Sequence, residues 1–486
     1  MPWQKEVISG RLERTQALPL KADQEFHSLP STQEATQTHD LPRVLGASHA
    51  TAIVVGTIIG SGIFLVPHEM MRAVGSSGLV YLAWIVGGLL SLFGAMTYAE
   101  LGAMMPYAGG EYVYIRKAYG DLPAFLYMWT WFAVAKPASI ASVTSGLART
   151  LAIFGVFAWL EHPVFHGSTA IYWSQLFAIA ATWLITGLNY LGIKKAGDFQ
   201  LIFTWLKGVL IVVIAIFCFT SHTGSLVNFK TSFTGSQGGF SGFMVAMIAV
   251  LWAYDGWNDL TMVAGEVKRP ERSLPLALIV GLFIVGALYM ATNAAIQYIL
   301  PATQIATSPR PAVAAMAVVS GHAGAVLVSA AMALSIFVTL NGTIMSGARV
   351  PFAAARDQLF FHSIAHIHPR FQSPSTSLIV QAVLSSLLLL VVGRFQQLFE
   401  LAIFAEWLFY MITATTIFVY RKRQPDTPRP YRVWGYPVLP ALFVLASAVL
   451  LYFSYAENLR NSLIGTLIIL AGIPLFVMIR KRYPLT

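Results

Sequence analysis

Asp255 and Gly256, in LWAYDGWN (residues 251–258), are residue types that call for a chemical explanation. They follow an uninterrupted apolar run, FMVAMIAV (243–250), that would sit comfortably in lipid. A second interruption lies at AIVVGTIIGSGIFLVP (52–67), where Gly56, Gly60, Ser61 and Gly62 cluster. A glycine inside a helix costs up to about 1 kcal/mol, and a central aspartate about 2.5–3.5 kcal/mol on insertion scales. Backbone that unwinds at membrane depth is tolerated where it is buried in protein or lines a cavity. Small residues also allow close helix packing, but two matched interruptions favour a site.

Unwinding leaves the positive end of one half-helix and the negative end of the other facing a common space. The free amides of Ser61, Gly62 and Ile63 suit a carboxylate, as helix N-termini suit anions generally. The carbonyls of Ile58 and Ile59, with those of Trp252, Ala253 and Asp255, suit an ammonium. The pattern therefore fits an α-amino acid held by its backbone. Trp252 and Tyr254 are placed to close over it, although either aromatic alone also fits plain packing. Lys207, in LIFTWLKGVLIVV, is the other costly residue: its ammonium needs acceptors, which the unwound carbonyls of the first break supply, so that it stands where a sodium ion could otherwise bind. Snorkelling is the competing reading, but the interface is distant from Lys207.

The elements that must position these groups follow from composition. Of 486 residues, 56% are hydrophobic and 11% charged, against about 25% charged in a soluble domain. The chain reads as an all-α integral membrane protein with twelve apolar segments near 44–71, 77–104, 122–150, 172–192, 198–221, 240–265, 274–300, 322–354, 376–393, 395–420, 437–456 and 461–481. These are long enough for a core of about 30 Å and lack the alternation of barrel strands. The two interrupted segments stand five apart and run in opposite directions. Such a pair points to inverted repeats, here 44–221 and 240–420, with 421–486 appended. Residues 1–43 carry no apolar core segment and read as a cytoplasmic tail rather than a signal peptide.

The formal charge of +10 resides in loops. Arg116-Lys117, Lys194-Lys195, Lys268-Arg269 with Arg272, Arg421-Lys422-Arg423 with Arg429 and Arg432, and Arg480-Lys481-Arg482 each follow an even-numbered segment. The other loops carry scattered cations: Arg72, Lys230, Arg310, Arg394 and Arg460. This asymmetry places both termini in the cytoplasm and explains the basicity without nucleic acid. The single cysteine, Cys218, permits no internal disulfide and reads as packing.

Other polar residues give weaker signals. Lys136 precedes Pro137 and reads as structural; Glu100 and Glu406 are possible proton relays; Asp357, beside Arg356, reads as an end-of-helix ion pair. His362, His366 and His368 in HSIAHIHPRF lack the glutamate of a zinc-protease motif and read as a loop. No cofactor or metal is implied, and an enzyme is disfavoured.

The motifs VVGTIIGSGIFLVP, YAELGAMMPYAGGEYVYI, LWAYDGWNDL with GEVKRPERSLP, NGTIMSGARVPFAAARD and RKRQPDTPRPYRV resemble, in order, those of the L-type amino-acid transporter family of the amino acid–polyamine–organocation superfamily. The resemblance implies a LeuT-like fold and a sodium-independent exchanger of L-amino acids in the plasma (inner) membrane. It carries the backbone site onto Gly60, Ser61, Gly62 and Ile63 and onto Trp252 to Asp255. Trp252 aligns with a gating aromatic, Asn258 with a residue lining the site, and Lys207 with a cation in place of sodium. Asp255 resembles the cystine and dibasic branch: it either attracts a cationic side chain or caps the unwound backbone. Neutral substrates are the expectation, with cationic or cystine exchange and proton symport as alternatives. A non-transporting sensor is a further rival, disfavoured by Lys207 and both broken helices. The loop GVFAWLEHPVFHGST lacks the cysteine by which animal members join a heavy chain, so no such partner is expected. Ala264-Gly265-Glu266 stands where two adjacent glutamates are common, which predicts one cytoplasmic contact fewer.

Overall fold

The computed structural model describes residues 41–152, 154–165, 171–391, 395–457 and 459–482. Most of the tail expected at 1–43, and Arg394, lie outside them. Helices occupy every predicted segment. In chain order they are α1 (Ala47–Ile58), α2 (Gly62–Val74), α3 (Ser77–Met104), α4 (Glu111–Tyr119), α5 (Asp121–Thr130), α6 (Lys136–Leu151), α7 (Trp173–Tyr190) and α8 (Ile193–Phe219). There follow α9 (Gly239–Ala253), α10 (Asp259–Met262), α11 (Pro270–Ile299), α12 (Ala302–Thr307), α13 (Pro311–Gly347), α14 (Arg349–Arg356), α15 (Ser375–Val391), α16 (Phe395–Arg423), α17 (Val438–Glu457), α18 (Leu459–Leu470) and α19 (Gly472–Arg482). Among the described residues six spans are long and apolar enough to cross a bilayer, and α1 with α2, bent by 41°, make a seventh if the pair is one span. The other predicted segments are helical as well: 122–150 and 240–265 are interrupted, α7 and α15 are short, and α16 runs unbroken for 29 residues.

The interruptions have local causes. Between α5 and α6, Trp131–Ala135 forms a π-turn; Pro137 offers no N–H to the preceding turn, and the wider turn absorbs the loss. Within α13 the helix kinks at Ser320 and Gly321, where Gly321 has φ 60°, so this span begins earlier than the predicted residue 322. The predicted segment 240–265 stays α-helical only to Ala253. It then turns through Gly256 (φ 104°) into α10, where a side chain would strain the backbone.

The two sides of the molecule differ. On one, the amides of Val44 and Leu45 donate to Glu266 O, and the Glu266 carboxylate accepts from Arg349 Nε at 2.9 Å and Nη2 at 3.2 Å, both side chains fully buried. Arg421 pairs with Glu100 at 2.6 Å, Arg429 with it at 3.4 Å, and Val433 N donates to the same carboxylate. Arg116 pairs with Asp121 and Asp357, and Arg480 with Asp121. Loops that follow even-numbered segments are thus tied together on the side where α1 begins. Glu100, a possible proton relay from sequence, is instead a counter-ion for two arginines. Asp357 does form an ion pair, but with Arg116 rather than its neighbour Arg356. Across the molecule, Phe233 N donates to Gly75 O and Ser225 N to Tyr298 O.

The PYAGGE turn feeds α4 inward. Gly109 and Gly110 have φ 100° and 47°, and Gly109 N donates to Met262 O. A Cβ on Gly110 would lie 2.7 Å from Thr261 Oγ1 and 2.9 Å from Met262 N. Gly110→Ala is expected to lose about 1–3 kcal/mol, whereas Gly78→Ala, at a helical site with open space, should be neutral or slightly stabilising. Thermal unfolding of both in detergent checks the comparison; equal midpoints would refute it.

Candidate functional site

The two breaks meet. Thr57 Oγ1, at the end of α1, donates to Gly256 O at 2.8 Å. A Cβ on Gly256 would stand 3.2 Å from the Thr57 carbonyl carbon, and one on Gly62 3.2 Å from Ala253 Cβ. A side chain at either position would push its neighbour back by a few tenths of an ångström, and at Gly256, with φ 104°, it would strain the backbone as well. Each break leaves carbonyls without helical donors, and side chains supply them. Lys207 Nζ donates to Gly56 O at 2.8 Å and Ile59 O at 2.6 Å. Ser335 Oγ reaches Ile59 O and Gly60 O, and Thr339 Oγ1 reaches Gly56 O and Ile59 O. From α11, Tyr289 Oη lies within hydrogen-bond distance of Ile58 O (3.1 Å) and Ala253 O (2.6 Å), one from each break.

Beside this junction lies a cavity of about 110 Å³, room for a small solute. Of the sequence-predicted residues, Ile58, Gly60, Ser61, Gly62, Trp252, Ala253, Asp255 and Asn258 line it. Ile59 and Ile63 do not and are fully buried. The Ile59 carbonyl, expected to hold an ammonium, already carries Lys207, Ser335 and Thr339. Tyr254 is also absent from the lining; its ring packs on Trp84 and Tyr289 instead of closing over the cavity. Lys207 stands behind the first break, out of the lining. The amides of Ser61, Gly62 and Ile63 have no protein acceptor among the described residues, since the first bond of α2 runs from Phe64 N to Ser61 O.

Several lining groups escaped the sequence reading. Lys136, assigned a structural role from its neighbour Pro137, faces the cavity and donates to Asp259 Oδ1 at 2.6 Å with both side chains nearly fully buried. Its ammonium also lies 4.8 Å from the Trp131 ring centroid, a cation–π distance. From α16, Glu406 and Tyr410 line the cavity four residues apart. Ser139, Ser142, Val143 and Gly146 on α6, and Ile336, Thr339 and Thr343 on α13, repeat that spacing. Polar residues three and four apart share one helix face, and that periodicity within apolar runs was the available signal. The lining charges are one ammonium, Lys136, and three carboxylates, Asp255, Asp259 and Glu406.

A chain of polar contacts leads out of the cavity. Tyr410 Oη donates to Asp255 Oδ1 at 2.9 Å and to Asn258 Oδ1 at 3.1 Å, and Asn258 Nδ2 donates to Glu111 Oε1 at 2.7 Å. Glu111 is fully buried at the start of α4, which lies between α3 and α5 in the chain. Burial pushes its carboxyl up to about 8, and Asp259 and Asp255 add to the rise; the Asn258 hydrogen bond and Lys136 oppose it.

The histidines at 362–368 make local contacts: His366 Nδ1 with Ser375 Oγ, and His368 Nδ1 accepting from the amides of Arg370 and Phe371. Among the described residues no cluster fits a metal. Cys218 is buried against Met316.

The chain matches the amino acid permease family over residues 45–479. It is 34% identical over 453 residues to the serine/threonine exchanger SteT of Bacillus subtilis (strain 168), covering 92% of this chain and 99% of that protein. It is 32% identical over 423 residues to the b(0,+)-type amino acid transporter 1 of Homo sapiens (85% and 83%), and 30% identical over 450 residues to the human cystine/glutamate transporter (92% and 87%).

Lys136→Met would leave Asp259 buried without its cation, a loss of about 3–5 kcal/mol. Thermal unfolding is expected to fall by several degrees and to recover in the double variant Lys136→Met/Asp259→Leu. No recovery would mean that the ammonium contributes by packing, not charge.

Proposed function

The chain belongs to the amino acid permease family, and from that premise we propose that it is a sodium-independent exchanger of neutral L-amino acids working by alternating access. Its relatives are transporters and not enzymes. The observation that carries the reading is the paired break: α2 presents the acceptor-free amides of Ser61, Gly62 and Ile63 towards a cavity whose other wall is the turn after α9. A substrate carboxylate docks on the α2 N-terminus. Its ammonium lies towards Asp255, whose carbonyl takes no backbone donor, and the hydroxyls of Ser139, Ser142 and Thr343 face the side chain.

Sodium independence rests on Lys207. Its ammonium fixes the carbonyls of Gly56 and Ile59, supplying from the protein the positive charge that a bound cation would otherwise bring. The small cavity and the serine/threonine exchange named for the bacterial relative favour neutral amino acids. The excess of lining carboxylates favours a second reading, exchange of cationic amino acids.

The same proposal includes twelve spans in a LeuT-like arrangement, with repeats 44–221 and 240–420 moving around the breaks, and both termini in the cytoplasm at the plasma (inner) membrane. The loops joined on one side carry the dense basic clusters, which supports that orientation. A stand-alone carrier is supported by the single cysteine, buried within α8.

Uptake of a labelled amino-acid panel into sodium-free proteoliposomes, with and without unlabelled amino acid inside, tests this. Uptake is expected only with an internal pool. Uptake that ignores the pool and follows a proton gradient would overturn exchange, and the best-accepted label decides between neutral and cationic substrates. Lys207→Met should slow exchange at least about tenfold, since charge-assisted hydrogen bonds are worth about 1.5–3 kcal/mol; an unaffected rate would remove Lys207 from the mechanism.

A further inference from the structure

Glu111 is a buried carboxylate that the transport reading leaves without a task. No cation reaches it among the described residues: the nearest, Lys136, is committed to Asp259 at 2.6 Å. Its hydrogen-bond partners are neutral, Asn258 Nδ2 at 2.7 Å and Thr413 Oγ1 at 3.5 Å. Around it stand the buried phenols of Tyr98 from α3, Tyr114 from α4 itself and Tyr127 from α5. From the second break and α10 it faces Asp255 and Asp259, and α16 adds Glu406 and Tyr410. An ionised carboxylate in such surroundings is costly, and taking up a proton removes the charge.

The chain from Glu111 to the cavity has a direction, set by who donates. Tyr410 has one hydroxyl proton, shared between Asp255 Oδ1 and Asn258 Oδ1. While Glu111 is ionised it can only accept, so Asn258 must turn its amide nitrogen to Glu111 and its oxygen to Tyr410. That oxygen draws the Tyr410 proton away from Asp255. Once Glu111 holds a proton it can donate. The Asn258 amide can then reverse, presenting oxygen to Glu111 and nitrogen to the Tyr410 oxygen, and the Tyr410 proton goes wholly to Asp255. We propose that Glu111 is a proton-binding site, and that its occupancy sets the polarity of the Glu111–Asn258–Tyr410–Asp255 chain and thereby the affinity of the cavity for its amino acid.

The step needs no redox partner: one proton from solvent joins one carboxylate oxygen, and the amide turns about its own bond. Its sign follows from which end of the substrate the chain reaches. With Glu111 ionised, Asn258 draws the Tyr410 proton away from Asp255 and leaves that carboxylate to the substrate ammonium; with Glu111 neutral, Tyr410 donates wholly to Asp255 and competes with the ammonium for it. Binding is therefore tighter when Glu111 is ionised and weakens as pH falls, and by linkage substrate binding releases a proton from Glu111. Burial holds the carboxyl near 8, so the change falls within an accessible range.

The inference rests on the amino-acid transport reading, and the uptake panel tests that reading separately. The best-exchanged amino acid of the panel would be titrated into the purified full chain from about pH 6 to about pH 8.5, by calorimetry in buffers of different ionisation enthalpy. Wild-type affinity is expected to strengthen by roughly tenfold as pH rises across the range, with proton release seen as a buffer-dependent heat. Glu111→Gln should bind with flat pH dependence and no buffer dependence. A flat wild type, or a Gln variant with the wild-type slope, overturns the proposal. If the Gln variant is not monodisperse, Glu111→Asp serves: it should keep the dependence with a displaced midpoint, and an unmoved midpoint overturns the proposal. Absence of exchange at any pH would instead defeat the transport reading.

Discussion

A helix broken at membrane depth leaves carbonyls that water cannot reach, and the rest of this structure is arranged around supplying their donors. Lys207 is central to that arrangement. Its ammonium holds Gly56 O and Ile59 O, while Ser335 and Thr339 complete the set from α13. Tyr289 Oη approaches Ile58 O and Ala253 O, so α11 stitches the first break to the second. Without these donors each exposed carbonyl would cost on the order of 1–3 kcal/mol, and the chain would favour a continuous helix. The glycines permit the breaks; the donors make them the stable state.

The cavity inherits its character from that geometry. Because the carbonyls of the first break are engaged from behind, what remains open towards the substrate is the amide end of α2. On the far wall the turn after α9 carries Asp255 and Asn258, and α10 carries Asp259 to meet Lys136. Helix α2, with its free amides, packs on α9, so a movement of one break relative to the other would be felt at once by anything bound between them. That is why the proposed alternating access is placed at this junction rather than at any single side chain.

The paired loops on one side serve a different purpose. Glu266 with Arg349, Glu100 with Arg421 and Arg429, and Asp121 with Arg116 and Arg480 tie segments far apart in sequence. The fully buried Glu266–Arg349 pair is the most demanding of these, since either partner alone would be an uncompensated charge. It shows that the motif with a single glutamate at Ala264-Gly265-Glu266 still closes a buried contact.

The sequence by itself determined which positions were expensive. Helical segments, both breaks, and the burial of Lys207 followed from hydropathy, glycine placement and the cost of a mid-membrane charge, all properties of a residue and its near neighbours. It did not determine who answers those costs. That Lys136 meets Asp259 across 123 positions, that Asn258 meets Glu111 across 147, and that Glu100 is taken by Arg421 depend on how helices cross. A helix shows its own period, but not the rotation at which it faces another. Tyr254 makes the point most simply: two positions after Trp252 at the end of α9, it points to Trp84 and Tyr289 while Trp252 lines the cavity, because residues two apart on a helix face different ways and only the packing of α9 shows which of them meets the cavity. Local spacing located the site, and only the tertiary packing decided which side chains enter it.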